Sequence, residues 1–210
     1  APTENVDRAQ MAKMLSVIMN KGVDNSALYQ SVNSGLTDIT SHWAKGHINY
    51  CYTTGIIAGR GNGKFDPAAT VTGNEAAKML LGVLGYSAEK SGLVGNDWAI
   101  NVAADAVNAG IAPKGIVLAD AMTREQAAQM AFQTLTADTV YYTNKGTTVI
   151  GSDGMQVIVG ASAPVKVANS TTDDYRTVKG DKDEVQQFCE KYFSDLSVNN
   201  NGSDDFGRPS

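Results

Sequence analysis

Cysteine and histidine are scarce in this sequence, and the few that occur are poorly placed for chemistry. The two cysteines, Cys51 and Cys189, lie far apart and form no Cys-x-x-Cys motif. The sequence therefore offers neither a disulfide framework nor a zinc or redox centre. The two histidines, His42 and His47, are five residues apart and do not share a helical face. We expect no metal site and no cofactor.

Positive charge is also in short supply. The 17 Lys and Arg residues are outnumbered by 22 Asp and Glu residues, which gives a net charge of −5 and a pI of about 5.0. Nucleic-acid-binding domains carry clustered basic residues, so nucleic acid is excluded as a partner.

No run of 18 apolar residues occurs, and no membrane insertion is expected.

Catalytic motifs are missing as well. The sequence has no Gly-x-Ser-x-Gly, His-Glu-x-x-His or paired-carboxylate context, so we expect no catalytic residues and predict that the chain is not an enzyme. The glycine-rich segment 59–67 lacks both the Gly-Lys-Ser/Thr of a phosphate loop and the alternating acidic ligands of a calcium loop. We interpret it as a turn with Phe65 pointing inward.

What the sequence does contain is an internal repeat. Three similar segments begin at Val6, Val71 and Met122, with spacings of 65 and 51 residues. Each opens with Asp or Thr followed three residues later by Gln or Glu, which is the pattern of a capping box at a helix start. The pairs are Asp7 and Gln10, Thr72 and Glu75, and Thr123 and Gln126. The Ala, Met and Leu residues that follow predict three helices with apolar stripes that pack in the core.

A second element is repeated as well. Trp43 is followed twelve residues later by Gly55, and Trp98 is followed twelve residues later by Gly110. Apolar residues at helical spacing lie between them, and a glycine at the end suits the left-handed residue that stops a helix. We expect Ser41 and Asn96 to cap these two helices.

These features resemble the S-layer homology (SLH) family. The segments that match the family pattern in order are Leu36-Thr37-Asp38, Trp43-Ala44, Gly55-Ile56-Ile57-Ala58-Gly59, Gly63-Lys64-Phe65-Asp66-Pro67 and Val71-Thr72. The resemblance divides the chain into the second half of a first module (1–21), a second module (36–86) and a divergent third module (95–137) that lacks the Gly-x-Phe-x-Pro loop.

The resemblance implies a mainly α fold in which three helical modules pack in a pseudo-threefold arrangement. It also implies that grooves between modules bind a secondary cell-wall polysaccharide, often pyruvylated, and so hold a secreted protein non-covalently on the wall of a Gram-positive, clostridial-type bacterium. The implied glycan-binding residues are Arg8, Arg124, Thr123 and Glu125, with Trp43 and Trp98 as platforms for sugar rings. Arginine suits a ketal carboxylate because it can form two parallel hydrogen bonds with it. We expect the helix N-termini to add free amides and the positive end of a dipole.

Two departures from the family pattern leave alternatives open. Gly73 stands where the second module would carry arginine, and Asp7 replaces threonine beside Arg8. The modules could therefore serve self-association or protein interaction within a surface layer, with degenerate glycan sites. A shed fragment that acts on a host or neighbouring cell is a third reading.

The remaining segment has a different composition. Short strands are predicted near 140–142, 147–150, 155–159 and 165–167, followed by an amphipathic helix over 183–196. We expect 138–198 to form a small β-rich (α+β) region with this C-terminal helix, and the Asn/Gly/Ser/Asp-rich tail 199–210 to be disordered.

Overall fold

The part of the chain that is described contains six α-helices, one short 3-10 helix (Ser26–Tyr29) and four short strands. The computed structural model describes residues 1–144, 147–150, 156–160, 162–169 and 184–193. The helices are α1 (Arg8–Met19), α2 (Lys45–Thr53), α3 (Gly73–Leu84), α4 (Trp98–Asn108), α5 (Arg124–Leu135) and α6 (Phe188–Tyr192). The strands are β1 (Val140–Tyr141), β2 (Thr147–Ile150), β3 (Gln156–Val159) and β4 (Val165–Lys166). The mainly α prediction is confirmed.

The three repeated segments each form a helix that starts as predicted. Thr72 caps α3 and Thr123 caps α5 in full capping boxes, in which the Glu75 and Gln126 side chains bond back to the cap amides. Asp7 caps α1 by accepting from the Gln10 amide at 2.7 Å. No reciprocal bond forms at Asp7, and the side-chain oxygen of Gln10 is buried without a hydrogen-bond partner.

The residues immediately before these three caps are joined in a closed ring of backbone hydrogen bonds. Val6 donates to Met122, Met122 donates to Val71, and Val71 donates to Val6, each with an N–O distance of 2.9 Å. Each amide is both shielded and satisfied by the next segment, which is the requirement for buried backbone polar groups. The starts of α1, α3 and α5 are therefore fixed to one another.

The second repeated element packs outside these helices. Helix α2 packs against α1, and α4 packs against α3. Both end as predicted, because Gly55 and Gly110 follow the helix ends with φ of 76° and 74°. The N-cap predictions are wrong: the capping positions are Ala44 and Asp97, and neither makes a side-chain capping bond. The expected capping role of Ser41 is taken by the His42 ring, whose Nδ1 accepts from the Ala44 amide at 3.1 Å, and Asn96 lies one residue too early.

The core lies among all six α-helices and the loops between them. Its largest fully buried side chains are Phe65, Phe188, Met11, Leu15, Ile39, Ile48, Ile57, Leu80, Leu81, Leu84, Leu93 and Ile111. Phe65 is 0% exposed, so the interpretation of the glycine-rich loop is confirmed. Asp38 holds this loop in place, because its carboxylate accepts from the Phe65 and Asp66 amides at 3.0 and 2.8 Å.

The C-terminal region contains the predicted strands as two antiparallel pairs, β1 with β4 and β2 with β3. The predicted helix begins only at Phe188, because residues 185 and 187 instead bridge to Ala168 and Asp138. Residues 183 and 194–196 of the predicted helix, and the tail 199–210, lie outside the described residues.

A second ring of backbone bonds lies at the start of α6, and the sequence did not predict it. Thr139 donates to Gln186, Gln186 donates to Val167, and Val167 donates to Thr139, at 2.8–2.9 Å. Phe188, which follows this ring, is fully buried and belongs to the main core. The C-terminal region thus contains a second three-way ring of backbone hydrogen bonds of the same kind as the ring in the helical part.

Candidate functional site

Two grooves lie beside the helical core, and each brings together one predicted arginine and one predicted tryptophan. The Trp98 groove has a volume of about 280 Å³ and is lined by Arg8, Ile56, Ala58, Gly59, Arg60, Glu75, Lys78, Met79, Val94, Gly95 and Trp98. The Trp43 groove has a volume of about 1310 Å³ and is lined by Ala1, Pro2, Val6, Gln10, Lys13, Met14, Val17, Ile18, Trp43, Arg124, Glu125, Ala128 and Ala131. Thr123 is not among the lining residues and serves as the cap of α5.

Arg8 forms the fixed base of the Trp98 groove. Its Nε donates to the Phe65 carbonyl at 2.9 Å, and its Nη2 donates to the Ala58 carbonyl at 2.7 Å. The guanidinium carbon lies 4.5 Å from the centroid of the Phe65 ring. Burial lowers the pKa of Arg8, but an arginine stays protonated in proteins. The sequence therefore places a rigid, permanent positive charge beneath the groove.

The wall of the Trp98 groove adds two further cations and one carboxylate. The Glu75 Oε1 atom lies 2.8 Å from Arg60 Nη2 and 4.0 Å from Arg8 Nη1. Lys78 Nζ lies 5.5 Å from the centroid of the Trp98 ring. Partial burial lowers the pKa of Lys78, while the charge of Glu75 raises it. Three cations against one carboxylate make this groove attractive to an anion.

The Trp43 groove repeats the same positions. Gln10, Lys13 and Met14 occupy the places in α1 that Glu75, Lys78 and Met79 occupy in α3. Arg124 and Trp43 are both exposed, and Trp43 keeps 56% of its surface accessible. The Trp43 groove is wider than the Trp98 groove, because the Trp98 groove has an additional wall formed by the loop 56–60. No equivalent loop lines the Trp43 groove in the part of the chain that is described.

Gly73 occupies the third equivalent position, and the structure explains why no arginine stands there. A Cβ atom on Gly73 would lie 2.7 Å from the Leu118 Cα and 2.9 Å from the Leu118 carbonyl oxygen. Both contacts are to backbone, which cannot rotate away. Leu118 is held there by a bond of 2.6 Å from the Asn74 amide to its carbonyl. The close approach of this loop therefore requires glycine.

The expectation that free helix-start amides add to the sites is wrong. The first amides of α1, α3 and α5 donate to carbonyls of the neighbouring repeat, and so do the second amides. The donor–acceptor pairs are Arg8–Ala69, Gly73–Asp120, Arg124–Glu4, Ala9–Pro67, Asn74–Leu118 and Glu125–Pro2. The third amides are bonded to the caps. Anion binding in the grooves must therefore rely on side chains.

Sequence reasoning missed Arg60, Glu75 and Lys78 as groove residues. A signal for the lysine was available, because Lys13 and Lys78 both stand six residues after the cap of their helix. Arg60 carried no such signal, since it lies in a loop whose path is set by Asp38 and by three glycines, Gly59, Gly61 and Gly63.

Comparison with known proteins relates one segment of the chain to a family of cell-surface binding domains. Residues 35–77 match the family model described as the S-layer homology domain. The chain therefore contains an S-layer homology domain, which is a binding domain rather than a catalytic one and indicates a protein of the bacterial cell surface.

Several curated proteins share part of this sequence. A cell surface protein of Thermoanaerobacter kivui is 35% identical over 82 residues, which cover 39% of this chain and 11% of that protein. An uncharacterized cell wall amidase of Bacillus anthracis is 27% identical over 81 residues, covering 39% of this chain and 14% of that protein. Exoglucanase XynX of Acetivibrio thermocellus is 28% identical over 173 residues, covering 76% of this chain and 16% of that protein. The chain thus spans less than a fifth of the length of these relatives.

None of the helices in the described ranges combines enough residues with enough apolar character to cross a membrane.

Proposed function

We propose that the chain anchors a secreted surface protein non-covalently to an acidic secondary polysaccharide of the bacterial cell wall, through the Trp98 groove and the Trp43 groove. The observation that carries the proposal is the pairing of Arg8 with Trp98 in one groove and of Arg124 with Trp43 in the other. Neither pair is close in sequence, so the fold assembles each pair from different repeats.

The chemistry of the Trp98 groove suits an anionic sugar. Arg8, Arg60 and Lys78 supply donors that can bond a carboxylate, such as the ketal of a pyruvylated sugar, and charge-assisted bonds of this kind are the stronger class. The indole ring of Trp98 supplies a flat apolar surface beside them for a sugar ring. Lys78 over the Trp98 ring keeps the charge and the apolar surface adjacent.

The domain organisation forms part of the same proposal. We assign 1–21, 36–86 and 95–137 to three modules arranged around a pseudo-threefold axis, followed by the β-rich region 138–198. The ring of equal bonds among Val6, Val71 and Met122 supports this assignment, since each repeat gives one bond and receives one. The cyclic order of the grooves supports it too, because each arginine meets the tryptophan of the preceding module.

We assign the chain a binding role within a larger surface protein. Relatives named as a cell surface protein, a cell wall amidase and an exoglucanase share this region although their names indicate different tasks. A shared anchoring segment attached to different functional parts accounts for that pattern. Self-association remains the competing role.

The test is co-sedimentation of the chain with purified bacterial cell wall, before and after chemical removal of the secondary polysaccharide. Two variants separate the grooves: Lys78→Gln acts on the Trp98 groove and Arg124→Gln acts on the Trp43 groove. Both change a side chain that is not in the core, so folding should be retained. Lys114→Gln, an exposed lysine that lines neither groove, controls for the loss of one positive charge.

We expect binding to disappear with the polysaccharide and to weaken about tenfold in each groove variant, the size typical of a lost charge-assisted hydrogen bond. Lys114→Gln should bind like the wild type. Because the proposed contacts are charged and partly exposed, added salt should weaken binding. Equal binding to stripped and intact wall would reject the polysaccharide as the ligand.

One observation favours the competing role of protein interaction. One face of α5 is uncovered: Phe132 is 48% exposed, and Ala128, which also lines the Trp43 groove, is exposed, whereas Ala12 and Ala77, the residues equivalent to Ala128 in α1 and α3, are fully buried. A patch of this kind is typical of an interaction surface. If this face mediates self-association, sedimentation velocity will show concentration-dependent oligomers that Phe132→Ser abolishes and that salt does not weaken.

A further inference from the structure

Glu75 occupies the place in the Trp98 groove where an incoming anion would find its donors. Its Oε1 atom bonds to Arg60 at 2.8 Å and faces Arg8 at 4.0 Å. Its side chain is 16% exposed and that of Arg60 is 42% exposed, so water screens this pair only in part. The two guanidinium groups are therefore already partly neutralised by a residue of the protein itself.

The negative charge of Glu75 is not needed for the structural task of this position. The Glu75 Oε2 atom accepts from the Thr72 amide at 3.0 Å, which completes the capping box of α3. In α5 the same task is performed by the neutral Gln126, whose Oε1 accepts from the Thr123 amide at 2.9 Å. A glutamine at 75 would thus keep the cap through its one carbonyl oxygen, remove the charge, and release Arg60 from its bond to this side chain.

The Trp43 groove carries a neutral residue at the position of Glu75, has no counterpart of Arg60 among the described residues that line it, and is lined by a carboxylate of its own at Glu125. Gln10 stands there in place of glutamate and lines the groove. The arginine, the lysine, the methionine and the tryptophan are otherwise the same in both grooves. The chain therefore carries two versions of one site, and they differ in the charge at the position of Glu75, in the presence of Arg60 and in the presence of Glu125.

We propose that Glu75 is a specificity-determining residue of the Trp98 groove: its carboxylate is a built-in anion that the acidic group of a ligand must displace from Arg60. This inference rests on the proposed function. The mechanism is electrostatic competition, because two carboxylates within a few ångströms of the same guanidinium groups repel each other. The Trp98 groove consequently discriminates against weakly acidic or neutral glycans. Only a ligand whose anion bonds to Arg60 recovers the interaction energy that is lost when the Glu75–Arg60 ion pair breaks.

Nuclear magnetic resonance can measure the two grooves separately, because the sequence contains only two tryptophans and one lies in each groove. The indole N–H signals of Trp43 and Trp98 in the ¹⁵N-labelled chain would be followed while an acidic oligosaccharide from a secondary wall polysaccharide is added at about 50 mM salt, where charge is weakly screened. The variants are Glu75→Gln and the reciprocal Gln10→Glu. Glu89→Gln changes the net charge equally at an exposed residue that lines neither groove and serves as the control.

We expect Glu75→Gln to raise the affinity reported by Trp98 about tenfold and to leave that reported by Trp43 unchanged. Gln10→Glu, which adds a carboxylate to the Trp43 groove, should lower the affinity reported by Trp43, and Glu89→Gln should change neither. A Glu75→Gln variant that binds equally or more weakly at Trp98, while the wild type binds, would overturn this inference and leave the proposed function intact. No response of either indole in any of the four proteins would overturn both.

Discussion

Gly73→Ala tests whether the third equivalent position is closed by backbone packing. The added methyl group would lie 2.7 Å from the Leu118 Cα and 2.9 Å from the Leu118 carbonyl oxygen, well inside van der Waals contact. Relief requires the loop at Leu118 to move, which strains the bond of 2.6 Å that its carbonyl accepts from Asn74. Overpacking of a closed site costs about 1–3 kcal/mol, and the gain in helix propensity from Gly to Ala, up to about 1 kcal/mol, offsets only part of it.

Gly82→Ala is the matched control, because it places the same substitution in the same helix. The nearest atoms to its added Cβ are the Ile56 carbonyl oxygen at 3.7 Å and the Ile56 Cα at 3.9 Å, which are ordinary contacts. In urea unfolding followed by circular dichroism, Gly82→Ala should raise the free energy of unfolding by about 0.5–1 kcal/mol. Gly73→Ala should lower it by about 1–2 kcal/mol. If Gly73→Ala is as stable as the wild type or more so, the close approach of Leu118 is not real.

Two further predictions concern buried titratable groups. His47 is buried, its Nδ1 lies 2.7 Å from Ser16 Oγ, and burial lowers its pKa below the ordinary 6.5 although Asp24 opposes the shift. Because the folded state favours the neutral ring, the stability that His47 contributes is complete above about pH 6.5 and is lost as the pH falls below it. The free energy of unfolding should therefore decrease less between pH 7 and pH 5.5 in His47→Gln than in the wild type. Cys51 is fully buried and its pKa is raised to about 12, so it should react with a thiol reagent in native buffer only at the rate of unfolding, and fast labelling of Cys51 at pH 8 would contradict its position.

The helical part of the fold could largely be predicted from local sequence. Capping pairs such as Thr72 with Glu75, and glycines such as Gly55, act within a few residues of one another, so their effect on the backbone follows from spacing alone. The start of α2 was misjudged because the amide of its cap residue, Ala44, is satisfied by the ring of His42, a solution that no capping preference anticipates. The start of α6 was misjudged because residues 185 and 187 bridge to distant segments of chain.

The candidate site could be predicted only in part from the sequence, because the grooves are formed between repeats. The motif resemblance selected Arg8 and Trp98, but only the fold shows that these residues share a groove. Arg60 joins them through a loop whose position depends on Asp38, 27 residues before Phe65. The role of the helix starts was misjudged for the same reason: their amides are occupied by carbonyls from another repeat, and local sequence contains no information about that contact.

The most direct test of the central claim follows the two tryptophan indole signals while the acidic wall oligosaccharide is added to the wild type and to Lys78→Gln. If the grooves are the binding sites, both signals shift in a saturable manner in the wild type, and Lys78→Gln weakens the response of Trp98 about tenfold while that of Trp43 is unchanged. If the chain binds the oligosaccharide and neither indole signal responds, the ligand lies elsewhere and the assignment of the grooves is wrong.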